Sequence, residues 1–314
     1  MKNYKLSDET KTLSGGTVLH RVIAAKTFTL ACGVTIVEGT VGGWIEKASN
    51  LSGNAWVADN AMVYGNARVS GNALISRYAV VSDNAQVYGN AQVSDVAKVF
   101  DAAQVSGSAR VSDCAKVCDN AWVSDNAKIY GDAWVCGNAR VYGNAKVSGS
   151  ARVSDCAKVC DYAAVFGAAR VSSSAWIYDR AKVSGNAWVH GSAEVCDDAQ
   201  IFSNAEVTGS AVVCGDALVS GKAQVAGNAE VCGDALVFGY ACVGDNARIL
   251  DNARVFNNAW VYGDAKIYDD AQVYGNAQIS GAMRVYGNSE VAGDTILSDN
   301  ITVYNMTLGV GDPQ

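Results

Sequence analysis

The feature that most constrains this chain is an aliphatic residue at every sixth position. The series runs from Val57 to Val303 without an insertion or deletion, which makes 42 consecutive hexads with 34 Val, seven Ile and one Leu. If the aliphatic residue is position one, position five is Ala in 37 successive hexads, from Ala61 to Ala277. The consensus is V-x-[GD]-N-A-x. A repeat of this regularity indicates a solenoid of short, equivalent units.

Each hexad predicts one short strand and one corner. Positions five and one alternate with the variable positions six and two, which is the period-two pattern of a strand with one buried face. Position four is Asn in 18 hexads and Asp in seven, the non-glycine residues that best tolerate left-handed backbone angles. We therefore predict that position four is left-handed, that positions one and five face inward, and that positions two and six face outward.

One strand of this kind has nothing opposite it to bury against, whereas three strands can enclose a triangular interior. Three hexads then form one coil of 18 residues, and coils stack at about 4.8 Å. The 42 hexads predict an all-β fold, a parallel β-helix of about 14 triangular coils. Its interior holds only Val-type and Ala side chains, which fill a narrow prism without polar atoms.

The hexads resemble those of the hexapeptide-repeat left-handed parallel β-helix. The segment GTVGGWIEKASNLSGNAWV at 39–57 is similar to the start of the repeat in uncharacterised YdcK-type proteins assigned as transferases, and in related phage and prophage proteins. The resemblance covers nearly the whole chain. It implies a left-handed coil, which the spacing alone does not indicate, and it is more specific for the fold than for function.

The two ends of the chain depart from the repeat. Residues 1–50 precede it, and TVLHRVIAAKTFTLACGVTIVEG at 17–39 alternates like two strands, so we predict a β cap over the first coil. The domains predicted are this cap at 1–50, the solenoid at 51–308 and a tail at 309–314. At position five, Ala is finally replaced by residues expected to close the last layers: Met283, Ser289, Thr295, Ile301 and Thr307.

Composition favours a soluble cytoplasmic protein. The chain is 50% apolar and 18% charged, and no apolar run approaches the roughly 20 residues of a membrane span. The polar N-terminal segment lacks the features of a signal peptide. We therefore expect a cytoplasmic location, no membrane contact, and all ten cysteines as thiols.

The sequence VSGSARVSDCAKVCD occurs twice, at 105–119 and 147–161. The two cysteines in each copy are about 10 Å apart in extended chain, too far to share one metal ion. The copies lie seven hexads apart and thus on different faces, so we predict no metal site. Stacking instead brings together Cys196, Cys214 and Cys232, which we interpret as small residues exchanged for Ser.

Catalysis is an alternative that the resemblance raises. Acyltransferases of this scaffold use a histidine general base in a cleft between subunits and a protruding loop for the acyl donor, which implies His190 as the catalytic residue. No loop interrupts the hexads, however, and motifs such as GxSxG, GxxxxGK[ST] and HExxH are absent. A non-catalytic rod that serves interaction or assembly is the favoured interpretation, with no cofactor.

Outward aromatic and aliphatic side chains predict an interaction surface. All six solenoid tryptophans occupy position six: Trp56, Trp122, Trp134, Trp176, Trp188 and Trp260. Exposed Trp is enriched at binding surfaces, and carbohydrate binding by the pairs Trp122/Trp176 and Trp134/Trp188 is one possibility left open. The two Trp pairs lie on two adjoining faces, and the third face carries an apolar strip, expected to bind a partner or another copy: Phe202, Leu218, Leu236, Phe238, Phe256 and Tyr274.

Charge argues against a nucleic-acid partner. The net charge is −7, and residues 183–247 hold one Lys against eight acids, whereas 98–182 hold eleven Lys or Arg against eight Asp. A nucleic-acid-binding protein needs a basic stripe. The sequence thus predicts a non-catalytic scaffold that binds itself or another protein, with an acyltransferase as the alternative.

Overall fold

A computed structural model describes residues 2–309, and these residues contain strands and no helix. The chain divides into two compact units, unit 1 within residues 1–156 and unit 2 within 157–314. Each unit is a parallel β-solenoid, and the turns number about 15 in all. The all-β parallel solenoid is therefore confirmed, and its turn count is close to the 14 predicted.

Unit 1 begins with a cap of five strands. They are β1 (Tyr4–Thr12), β2 (Val18–Ala24), β3 (Phe28–Thr29), β4 (Thr35–Ile36) and β5 (Val41–Ile45). β2 pairs antiparallel with both β1 and β5, and β3 with β4. β5 also pairs in parallel with Met62–Val63, so it is the strand at which the antiparallel cap joins the parallel solenoid.

The cap covers Trp56, which was predicted to face solvent. Trp56 is only 1% exposed, because the Phe28 ring packs edge-on against it at 5.9 Å. The approach of β5 is also close: a Cβ on Gly42 would lie 2.4 Å from the Val57 carbonyl oxygen and 2.6 Å from the Trp56 ring. The prediction that position six is exposed to solvent is therefore wrong for Trp56, because the cap covers it.

Two-residue strands then recur every six residues. In unit 1 they run from Trp56–Val57 to Arg152–Val153. In unit 2 they run from Lys158–Val159 to Gln278–Ile279, and then as Arg284–Tyr286, Glu290–Val291, Ile296–Leu297, Thr302–Tyr304 and Thr307–Leu308.

Strands 18 residues apart pair in parallel, as Val87 does with Val105. The Gln86 N–H donates to the Ala103 carbonyl at 2.9 Å, and equivalent bonds join successive turns. Position one and position five side chains are almost all completely buried, which confirms the predicted interior. Three columns of strands form in each unit, and each outward residue lies beside the residue 18 positions away.

The corner differs from the prediction. The left-handed residue is at position three, not four: Gly65, Asp83 and Asp113 have φ of 66°, 59° and 58°. Asp is tolerated there because its carboxylate accepts the next turn's backbone N–H, as Asp113 does from Gly131 at 2.9 Å.

Asn at position four has another role, which is to form amide ladders between turns. Asn54 Nδ2 donates to Asn72 Oδ1, and Asn72 Nδ2 to Asn90 Oδ1, each at 3.3 Å. The same spacing of 18 residues recurs in unit 2, where Asn228 donates to Asn246 at 3.0 Å. The preference for Asn at position four thus reflects a side-chain hydrogen bond rather than a backbone requirement.

The last turn of unit 2 contracts by one residue. Glu290 pairs with Thr307, only 17 positions away. Met283 and Ser289 are fully buried, and Ser289 Oγ donates to the Tyr286 carbonyl at 2.7 Å. Ile301 is 53% exposed and Thr307 is also exposed, so the predicted closing of the final layer is wrong for these two residues. Residues 310–314, most of the predicted tail, lie outside the described residues.

Candidate binding surfaces

The predicted apolar strip forms a continuous surface on unit 2 over most of its length. Phe238 and Phe256 stack at 4.9 Å with rings 3° apart, and Phe256 and Tyr274 at 5.0 Å and 9°. Leu218 and Leu236 lie side by side on the same face, at position six, next to the rings at position two. We call Phe202, Leu218, Leu236, Phe238, Phe256 and Tyr274 the aromatic strip.

Two details limit the extent of the aromatic strip. Ser220 stands one turn from both Phe202 and Phe238, so Phe202 is separated from the stacked rings. All six strip residues are half-buried, because each ring or aliphatic chain is covered by its neighbours along the column. The Tyr274 hydroxyl donates to Glu290 Oε2 at 3.1 Å, and this bond gives the stack a polar end.

The outward tryptophans of unit 1 are held by cations. Arg152 lies 4.2 Å and Lys116 5.5 Å from the Trp134 ring, and the Trp134 Nε1–H donates to Cys118 Sγ at 3.0 Å. Trp122 is 41% exposed, and its Nε1–H donates to Ser106 Oγ at 3.2 Å. The acceptor is in each case the position-two residue 16 positions earlier.

Unit 2 repeats this arrangement at two tryptophans. Trp176 donates to Cys160 Sγ at 3.3 Å, and Trp188 donates to Ser172 Oγ at 3.1 Å. Trp188 is 41% exposed and Trp176 is half-buried. The side chains predicted as a carbohydrate-binding set are thus outward but engaged with protein groups.

His190 is the centre of a small polar cluster. Its Nε2 lies 2.9 Å from Glu206 Oε1, its Nδ1 lies 3.1 Å from Thr208 Oγ1, and its ring stacks on Trp188 at 4.0 Å. Gln224 Nε2 donates to the other Glu206 oxygen at 3.4 Å. A carboxylate beside a histidine can orient a general base, but both ring nitrogens here already have hydrogen-bond partners.

One cysteine pair departs from the sequence-based expectation. Cys214 and Cys232 form a disulfide with Cα atoms 4.7 Å apart, so the prediction that all ten cysteines are thiols is wrong for these two. Stacking on consecutive turns gives a Cα separation within the range of protein disulfides. Cys196, the third member of the ladder, is a free and buried thiol.

Covering by aromatic rings explains the state of several other cysteines. Cys118 and Cys160 occupy outward positions yet are only 2% exposed, since the Trp134 and Trp176 rings lie over them. Burial raises the pKa of Cys118 to about 11, and burial likewise raises the pKa of Cys196. Both thiols are therefore neutral and weakly reactive at physiological pH.

Two groups of side chains have metal-ligand spacing. The ligand atoms of Asp101, Cys118 and Asp119 lie within 4.8 Å of one another, and so do those of Asp179, Cys196 and Asp197. These groups pair a cysteine with corner aspartates from two turns, rather than the two cysteines of the CxxxC sequence. The corner aspartates have their own bonds to the next turn, as between Asp119 and the Gly137 N–H at 2.9 Å.

A groove is present on the surface of each unit. The Lys116 groove in unit 1 has a volume of about 530 Å³ and is lined by Tyr64, Lys98, Phe100, Lys116 and Trp134, among others. The Trp260 groove in unit 2 has a volume of about 430 Å³ and is lined by Gln224, Cys242, Gly244, Trp260 and Gln278, among others.

The Trp260 groove exists because small residues interrupt the outward columns. Gly244 is the only glycine at position two in the 42 hexads, and a Cβ built on it would meet nothing within 4 Å. Trp260 is 52% exposed and Tyr262 37% exposed beside it. Trp260 was predicted to be outward, but the groove beside it was not predicted. In the sequence, the single glycine at position two, Gly244, indicates such a gap.

Comparison with known proteins agrees with the fold. Three segments, at residues 67–83, 139–155 and 247–263, match the YdcK beta solenoid repeat. A comparison with curated proteins found no match. Among the described residues there is also no helix long and apolar enough to cross a membrane. With these matches and a parallel β-solenoid in each unit, the chain is similar to YdcK-type β-solenoid repeat proteins.

Proposed function

We propose that this protein is a non-catalytic scaffold that binds a partner protein through the aromatic strip of unit 2. The observation that carries the proposal is the coplanar stack of Phe238, Phe256 and Tyr274 beside Leu218 and Leu236. Flat apolar side chains held on a hydrogen-bonded lattice lose little conformational entropy when a partner covers them. We place the protein in the cytoplasm as part of this proposal.

Charge favours a different protein over a second copy. Residues 183–247, which contain four of the six aromatic-strip residues, carry one Lys and eight acidic residues. Two copies aligned in parallel would therefore set like charges against each other, which is unfavourable. A partner with an apolar patch flanked by Lys or Arg fits this surface better.

The double variant Leu236→Lys, Phe238→Lys tests the proposal. It should abolish capture of the partner by pull-down, or of the assembly by sedimentation if the partner is another copy, because two ammonium groups would be buried without counter-charges. The same charges at Gln92 and Ser94, in the equivalent outward positions of unit 1, provide the control. A wild-type monomer that recovers no partner would contradict the proposal, as would an assembly that the variant retains.

Acyl transfer is the second candidate, favoured by the 2.9 Å contact between His190 and Glu206. It is weaker because both His190 nitrogens are engaged and no loop interrupts the hexads to hold an acyl donor. Acetyl-CoA turnover by the full chain that His190→Ala abolishes would replace the scaffold by this function.

A further inference from the structure

Among the described residues, Trp260 lacks both an indole acceptor and a cation over its ring, whereas Trp122, Trp134 and Trp176 have both. Trp188 has the acceptor, and the His190 ring stacks on it. Elsewhere the indole N–H donates to Ser or Cys 16 positions earlier, but at that place Trp260 has Gly244. In residues 2–309 no acceptor is found for the Trp260 Nε1–H and no cation lies over its ring. An exposed ring with an unused donor thus stands beside an empty space.

The surroundings of Trp260 supply further polar groups. Gln278 lies one turn away in the same column, and its amide has no hydrogen-bond partner in the described part of the chain. Gln224 lies two turns away on the other side of Cys242. Tyr262 adds a second half-exposed ring to the rim. The groove therefore combines aromatic faces with amide donors and acceptors.

The charge of the groove restricts what it can bind. Its lining includes Asp245 and contains no Lys or Arg, and burial raises the pKa of the Cys242 thiol, which keeps that group neutral. A phosphate or carboxylate ligand would find no counter-charge here, whereas a neutral ligand loses nothing. In the Lys116 groove, by contrast, two lysines line the site.

We propose that the Trp260 groove is a binding site for a neutral oligosaccharide. The apolar face of a pyranose ring would pack on Trp260 over Gly244, a hydroxyl would accept from the Trp260 Nε1–H, and other hydroxyls would bond the Gln224 and Gln278 amides. Small-ligand sites typically pair aromatic surface with a few placed polar groups in this way. The groove lies on a different column of strands from the aromatic strip, so this proposal does not depend on the proposed function.

The experiment is isothermal titration calorimetry of the full chain with cellopentaose, maltopentaose and chitotetraose, and with trigalacturonate as an anionic comparison. At least one neutral probe should bind, and Trp260→Ala should weaken it more than about tenfold. Gly244→Leu should do the same by filling the groove, and it should fold because the added side chain meets open space.

Two matched variants serve as controls. Trp122→Ala removes an exposed tryptophan whose N–H is already bonded, and Ser184→Leu makes a similar addition at position two of another column; both should leave the affinity unchanged. The proposal is overturned if none of the three neutral probes binds, if binding survives Gly244→Leu, or if trigalacturonate binds more tightly than the neutral probes.

Discussion

The Lys116 groove of unit 1 and the Trp260 groove of unit 2 are built on the same framework. Both lie on a column of two-residue strands, and both have a tryptophan at position six. In unit 1, Trp134 is fixed by Arg152, Lys116 and Cys118. In unit 2, Trp260 has none of these contacts.

The difference teaches that the partners of a surface tryptophan in this fold are determined by the residues at positions two and six of neighbouring turns. Replacing Cys118 by Gly244 as the residue beneath the ring, and Arg152 by Gln278 as the residue one turn on, changes a cation-clamped indole into an open one. The backbone does not respond, since neither position contributes to the interior. One groove thus has lysines and a tryptophan whose N–H is bonded, whereas the other, within the described residues, has no Lys or Arg and has a tryptophan whose N–H is free.

The largest effect should come from breaking the interior that the two grooves share. Ala145→Asp places a carboxylate at a fully buried position, where it has no partner, and should lower the free energy of unfolding by more than about 4 kcal/mol. Thermal and urea melts followed by circular dichroism measure this. Lys146→Asp introduces the same carboxylate one residue away on the exposed side and should be nearly neutral. Equal melts for the two variants would disprove the inward register.

A smaller effect should follow from opening the Cys214–Cys232 disulfide, a crosslink present in unit 2 and not found in the described part of unit 1. The double variant to Ser should lose up to about 3 kcal/mol, because the bond closes a short loop in the unfolded chain. The parent in reductant should melt like this variant. Ten reactive thiols in the denatured, unreduced chain, rather than the eight expected, would contradict the crosslink.

The smallest effect should separate the two tryptophans. Trp134→Ala loses a ring held by two cations and a sulfur acceptor, and should cost about 1–2 kcal/mol of stability. Trp260→Ala should change stability by less than about 0.5 kcal/mol, since that ring is 52% exposed and has no such partners. Urea melts of the two variants provide the comparison, and an equal loss at both sites would show that the rings are equally engaged.

The repeat was sufficient to predict which side chains are buried and which lie beside each other on successive turns. Burial of Val141 and Ala145 follows from period two alone, and so does the spacing of 18 that brings the rings of Phe238 and Phe256 together. The corner was assigned one position too late because Asn is equally typical of a left-handed residue and of a hydrogen-bond ladder. Composition at one position cannot separate these roles, whereas backbone angles do.

Features that occur only once in the chain could not be predicted from the repeat. Trp56 obeys the repeat but is covered by β-strand residues outside it, and the contraction before Thr307 follows no pattern in the hexads. The disulfide depends on which two of three stacked cysteines pair. The handedness of the coil came from the resemblance, not from the spacing, and stays a prediction.

The 18-residue turn also has a consequence for how such a chain can evolve. Gain or loss of one hexad keeps every Val and Ala in the interior, yet it gives new neighbours to the surface residues of the turns that flank the change. A hexad inserted after Leu250 would set that leucine, and not Gly244, beneath Trp260, and would erase the groove without disturbing the fold. Slippage in the coding repeat can therefore change which side chains are neighbours on the surface at almost no cost in stability. Gain or loss of three hexads, which is one full turn, leaves every surface residue on its original face.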